Sequence, residues 1–222
     1  MSATKWKMFF DISCPNSWIS FKLLNNGTIP KIANGIEFVP MSDVKLVLIE
    51  TYELRMKRRR KRRHELDGTI APIREITDYF SKKLQPTESY RMPDNWEHVY
   101  STNLRLGTLL SALFLSSVKN YCPNQFLRTV EVVGERIWEL QQPVHKGAHL
   151  FRCSRNAGVS LRDTEEIVSR LSHVDSRQLL HQNSLEAFQL GAVSTPFFAS
   201  VDGSQTTTFS SFQDFKRFML TS

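Results

Sequence analysis

The 222-residue sequence predicts an α/β fold in which two β-containing ends enclose a long helical middle. Three observations predict it: a β-α-β pattern at the start, a strand hairpin followed by a helix at the end, and nearly continuous helical patterning between them. The ends, 1–45 and 185–222, read as one domain, and 46–184 reads as an all-helical domain inserted between its βαβ and ββα halves.

Trp6-Lys7-Met8-Phe9-Phe10-Asp11-Ile12 is a dense apolar and aromatic run of the length of a buried strand, ending at Ser13-Cys14-Pro15. Pro15 suits a first helical position, and Trp18, Ile19, Phe21, Leu23 and Leu24 continue a helix that Asn26-Gly27 stops. Gly35 to Pro40 reads as a second strand closed by proline. Val44 to Arg63 and Pro72 to Leu84 read as helices, and Asn95 to Lys119 as one longer helix, apolar on nearly every side from Leu109 to Leu115. Phe126, Val130, Val133, Ile137 and Leu140 keep one helical face. Ser160-Leu161-Arg162-Asp163 resembles a capping box, with the acid shortened to Asp, and opens a helix through Ile167 and Leu171. Phe197 to Val201, a turn at Asp202-Gly203, and Thr206 to Phe209 make a hairpin. Phe212, Phe215, Phe218 and Met219 have the spacing of a closing amphipathic helix. The two ends are the halves of a thioredoxin fold.

Composition narrows the chemistry. Three cysteines (Cys14, Cys122, Cys153) cannot all pair, and none forms a CxxC or a metal-ligand spacing with histidine. Free thiols in a reducing, intracellular compartment fit this usage. A chain of this length buries roughly 70% of the surface its unfolded form exposes, so no metal or disulfide staple is needed. No apolar run is long enough to span a membrane, and Met1 to Lys7 turns strand-like too soon for a signal peptide.

The formal charge of +7 suggests a nucleic-acid partner until it is located. Arg55, Lys57, Arg58, Arg59, Arg60, Lys61, Arg62 and Arg63 are eight of the 29 basic residues; without them 21 basic residues face 22 acidic, a net of −1. The run has no interleaved aromatics and no base-reading motif, so a solvated helix end ranks above specific nucleic-acid recognition or attraction to anionic lipid. His145 and His149 have the i, i+4 spacing of a metal pair, but no third ligand accompanies them, and they read as surface residues. Trp138 reads as core.

The chemistry-bearing position is Cys14, where a strand becomes a helix. A helix N-terminus presents unpaired N–H groups and about half a positive charge, a setting in which cysteine pKa values run from roughly 3.5 to 7.5. Cys122 and Cys153, within helical stretches, read as small buried hydrophobes.

Phe9-Phe10-Asp11-Ile12-Ser13-Cys14-Pro15-Asn16-Ser17-Trp18 resembles the kappa-class glutathione transferase motif within the DsbA-like thioredoxin-fold family. Gly191 to Pro196, followed by Val201-Asp202-Gly203, is similar to the family's cis-proline loop. Ala157-Gly158-Val159-Ser160 and the stretch from Leu106-Gly107 to Leu115 resemble helices of the family's inserted domain.

The resemblance implies glutathione as co-substrate, an electrophilic apolar second substrate and a homodimer, with no cofactor and no metal. Cys14 falls at the position of the family's catalytic serine. Pro15 and Asn16 complete the turn beside the tripeptide, Thr195 offers backbone groups to its cysteinyl part, Pro196 is cis, and Ser211 holds the γ-glutamyl carboxylate. Phe212 stands where the family has an Asp. The family's asparagine after the second strand has no counterpart here. Relatives occur in mitochondria and peroxisomes, though Leu220-Thr221-Ser222 is not a good peroxisomal ending.

The cysteine opens two alternatives to conjugation. One is glutathione-dependent thiol–disulfide exchange, with Ser17 in place of a resolving cysteine. The other is a non-catalytic binding protein working through 55–63.

Overall fold

A computed structural model of the chain describes residues 5–25, 35–42, 92–202 and 205–221. The Asn26-Gly27 stop, the two helices expected between Val44 and Leu84, and the basic run lie outside the described residues.

Among the described residues, four strands form one sheet. β1 (Trp6–Phe10) pairs in parallel with β2 (Ile36–Pro40), Met8 opposite Phe38. Its other edge pairs antiparallel with β3 (Phe197–Asp202), which pairs antiparallel with β4 (Gln205–Phe209), so the order is β2-β1-β3-β4. A parallel neighbour requires a crossover, and α1 (Pro15–Asn25) lies in it. Between β2 and β3 come α2 (Trp96–Leu106), α3 (Leu109–Tyr121), α4 (Pro123–Trp138), α5 (Gly147–Asn156), α6 (Leu161–Ser169) and α7 (Val174–Gln189). The closing helix is α8 (Phe212–Thr221). This is a thioredoxin-like fold with a helical insertion between its βαβ and ββα halves. Among the described residues no helix is long and apolar enough to cross a membrane.

Strand alternation divides the core in two. Trp6, Met8 and Phe10 face α1 and α8: Phe10 and Phe38 meet Phe21, and the rings of Phe198 and Phe215 stack at 4.3 Å. The other face carries Phe9, Val39, Phe197 and Ala199, packed against Ala187 and Ala192 at the end of α7. Two charged ties join this face to helices: Lys7 to Glu186 of α7, and Lys119 of α3 to Glu37 at 2.6 Å.

Two readings of the helical middle need correction. Asn95 to Lys119 is not one helix but two, because Gly107 takes φ = +95°, a backbone setting that favours glycine and cannot continue a right-handed helix. Its N–H still caps α2 by donating to Asn103 O at 2.9 Å, and α3 starts after Thr108. Leu140 lies past the end of α4 and is exposed, and Leu171 lies past the end of α6 but is buried.

Candidate functional site at the start of helix α1

The β1–α1 turn is built from its own backbone. Asp11 Oδ1 accepts from Ser13 N, and Asp11 O accepts from Cys14 N, both at 2.9 Å. Cys14 O then accepts from Trp18 N at 3.0 Å, the first bond of α1, so Cys14 is the N-cap and Pro15 follows at N1. The first-turn N–H groups of Asn16 and Ser17 have no acceptor within the helix, and they carry its positive pole past the sulfur.

The turn faces the start of β3. The Thr195–Pro196 peptide is cis, and Cys14 Sγ donates to Thr195 O at 3.3 Å, across 181 positions of sequence. Cys14 is 8% exposed. Pro15, Thr195 and Pro196 are buried, and Asn16 is half-buried. On residues of the Cys14 turn, the start of α1 and the facing loop, Ser13 Oγ, Asn16 Oδ1, Ser17 Oγ and Thr195 Oγ1 are buried without a hydrogen-bond partner. Buried polar atoms in folded proteins are nearly always paired, so four unpaired ones on these neighbouring segments set the region apart from the rest of the core. Ser13 and Ser17 were not expected in this role; the signal for them is their place on either side of a helix-capping cysteine.

Ser211 stands apart from this group. It is half-buried and caps α8, its Oγ accepting from Asp214 N at 3.2 Å and donating to Asp214 Oδ2 at 3.0 Å. Phe212 is 3% exposed and packs on Phe198, so an apolar ring fills the position where the family resemblance calls for a carboxylate.

The other thiols are set up differently. Burial pushes Cys153 up to about 11, against a smaller opposing pull from Arg136. Burial, and then the nearby Asp163 charge, also raise Cys122. His145 and His149, read as surface residues because no third ligand accompanies their spacing, are partly covered. Both are half-buried, their rings 5.3 Å apart, and each Nδ1 is enclosed without a partner. Burial lowers both pKa values, with Lys146 lowering both further and Arg136 and Arg152 adding to the effect at His149. This is a poor setting for a cation, and among the described residues no three His, Cys, Asp or Glu side chains could share a metal.

A cleft between α3, α6 and α7 is lined by Ser117, Tyr121, Asp163, Glu166, Arg170 and Ser176. Its polar groups are largely matched already. Arg170 pairs with Glu166 at 3.5 Å, Ser117 reaches Ser176 at 3.4 Å, and Asp163 is held by Ser160.

The architecture is a thioredoxin-like fold carrying a helical insertion. No protein-family model matches the sequence, and no curated protein matches it. Solved structures do match. A protein from Nitrosomonas europaea assigned as a protein disulfide isomerase superposes with a TM-score of 0.60 at 10% identity, over 98% of this chain and 96% of that one. A protein from Streptomyces coelicolor assigned as a DsbA oxidoreductase gives 0.60 at 12% identity, over 98% and 89%. The cytosolic disulfide reductase DsbM from Pseudomonas aeruginosa gives 0.56 at 12% identity, over 98% and 97%. At such identities the similarity establishes the fold.

Proposed function

We propose that this chain is a glutathione-using enzyme that conjugates the glutathione thiol to an electrophilic, apolar substrate at the start of α1, in the manner of kappa-class transferases. The observation that carries the reading is Cys14 at the N-cap of α1, facing Thr195 O at 3.3 Å, with unpaired buried polar atoms on Ser13, Asn16, Ser17 and Thr195. A peptide-like thiol supplies donors and acceptors of that kind, and the backbone of Thr195, just before β3, is the proposed extended partner for it.

The chemistry follows from the helix end. A glutathione sulfur beside Cys14 meets the unpaired N–H groups of α1, which favour its thiolate; the proton leaves to solvent. The thiolate then forms a carbon–sulfur bond, and the leaving group departs with the bonding electron pair. Holding both reactants accounts for up to roughly 7–11 kcal/mol in ideal cases. Val193, two residues before Thr195, is exposed and offers the electrophile an apolar rim. Ser211 at the start of α8 is the proposed contact for the γ-glutamyl carboxylate.

A second reading is favoured by one feature, the thiol in place of a hydroxyl at position 14. Cys14 thiolate attacks the glutathione sulfur of a substrate–glutathione mixed disulfide, a Cys14–glutathione disulfide forms, and the substrate thiolate leaves. With serine at position 17, a second glutathione thiolate must then release the protein.

One substitution separates the two. If conjugation is the activity, Cys14→Ser retains or raises turnover of an aryl halide with glutathione. If exchange is the activity, the same change abolishes disulfide reduction, and wild-type protein carries glutathione on Cys14 by mass spectrometry. Absence of both activities in the wild type contradicts the proposal.

A further inference from the structure

We propose that Trp138, at the end of α4 in the helical insertion, is a positioning residue that fixes the Cys14 turn and thereby sets the reactivity of its sulfur. The inference rests on the reading that the positive end of α1 activates a sulfur placed at Cys14. Trp138 is fully buried, and its Nε1 donates to Ile12 O at 3.0 Å, across 126 positions of sequence. Ile12 is the second residue of the four-residue turn that Asp11 and Cys14 close. Its carbonyl is therefore held from outside the turn, by a rigid ring on another element.

Trp138 does not act alone on this segment. One turn earlier on the same face of α4 lies Gly134. A Cβ on Gly134 would sit 2.1 Å from Cζ3 of Trp18, so the indole of Trp18 rests on bare α4 backbone. Ile12 and Trp18 flank Cys14 in sequence, and both are seated on α4. The sulfur sits between these two anchors. A shift of the turn by even an ångström would carry Sγ off the axis of α1, and misplacements of that size cost reactions as much as about 100-fold.

The direct test replaces the indole N–H while keeping an aromatic ring. Trp138→Phe and a variant with β-(3-benzothienyl)alanine at position 138, in which sulfur replaces the N–H at nearly constant shape, are compared with wild type. The readout is the rate of iodoacetamide alkylation at Cys14, located by mass spectrometry, as a function of pH. The positioning role predicts about tenfold slower alkylation at pH 7 in both variants, and a pH profile whose midpoint moves up toward that of an ordinary thiol, about 8.5. A lowered melting temperature with an unchanged Cys14 rate and midpoint would overturn it, because a merely structural tryptophan moves stability alone. Should Trp138→Phe fail to fold, the near-isosteric variant decides. If wild-type Cys14 reacts no faster than in urea-unfolded protein, the reading of Cys14 falls along with the inference. If wild type is fast and the variants equal it, only the inference falls. Glutathione is not used, so a failure to bind it does not affect the outcome.

Discussion

Lys119 of α3 reaches across to Glu37 of β2 at 2.6 Å, both side chains less than a third exposed, and so ties the helical insertion to the edge of the sheet. Burial alone would raise the Glu37 pKa, but the hydrogen bond and charge of Lys119, with Lys5 and Lys7 behind, hold it below the usual carboxylate range. Lys119 is the more deeply buried partner. Burial holds its ammonium below the ordinary lysine value, although the bond to Glu37 offsets part of that. The carboxylate is thus the group that folding stabilises.

Glu37→Gln is expected to cost about 1–2 kcal/mol at pH 7, because it leaves the Lys119 charge with a neutral partner. The folded pKa of Glu37 lies below its unfolded value, so its contribution is present above about pH 4.5 and lost as pH falls through the lower folded value. Urea denaturation of both proteins from pH 7 to pH 3 checks this. The gap between them should close on the acid side and stay open near neutrality.

Gly134→Ala is expected to destabilise the protein by about 3 kcal/mol, since the new methyl meets the Trp18 ring and the α4 backbone cannot retreat without dragging Trp138. A glycine inside a helix ordinarily gains nearly 1 kcal/mol on becoming alanine. A sign opposite to that rule, read as the shift in urea midpoint, is the signature of the contact.

Thiol labelling should be confined to one position. With Cys153 pushed up to about 11 and Cys122 also raised, neither is appreciably ionised at pH 7.5, whereas Cys14, buried like them, sits at the positive end of α1. Native protein treated briefly with iodoacetamide should carry one adduct, on Cys14, and three after unfolding.

Ser160 and Ser211 make a matched pair. Both cap helices through an Asp three residues on, with Oγ accepting from its N–H at 3.1 Å and 3.2 Å respectively. Ser160→Ala and Ser211→Ala should therefore cost the same, about 1 kcal/mol. Only Ser211→Ala should also weaken glutathione binding in a calorimetric titration. Equal binding by both variants would remove Ser211 from the ligand site.

Much of this organisation is legible in the residues themselves. Strand-turn-helix at Phe10–Cys14–Pro15 follows from an apolar run meeting a proline, and the cap at Ser160 follows from an acid three positions on. The break at Gly107 was hidden because helix-forming residues continue on both sides of it, and a single glycine inside such a pattern is commonly tolerated. The spacing of His145 and His149 gave their shared face but not its depth. The bond from Trp138 to Ile12 has no local signature, since it joins segments 126 positions apart. Its only hint was chemical: a buried indole N–H ordinarily finds an acceptor. Gly134 carried a comparable hint, as a glycine kept within a helical pattern commonly serves close packing.

The proposed function requires reduced glutathione to bind at the start of α1, beside Cys14 and facing Thr195. Calorimetric titration of reduced glutathione into wild-type protein and into Asn16→Ala tests it most directly. One saturable site per chain in the wild type, weakened at least about tenfold by the loss of the Asn16 amide, is the predicted result. Absence of binding in the wild type, or equal binding by both proteins, would contradict it.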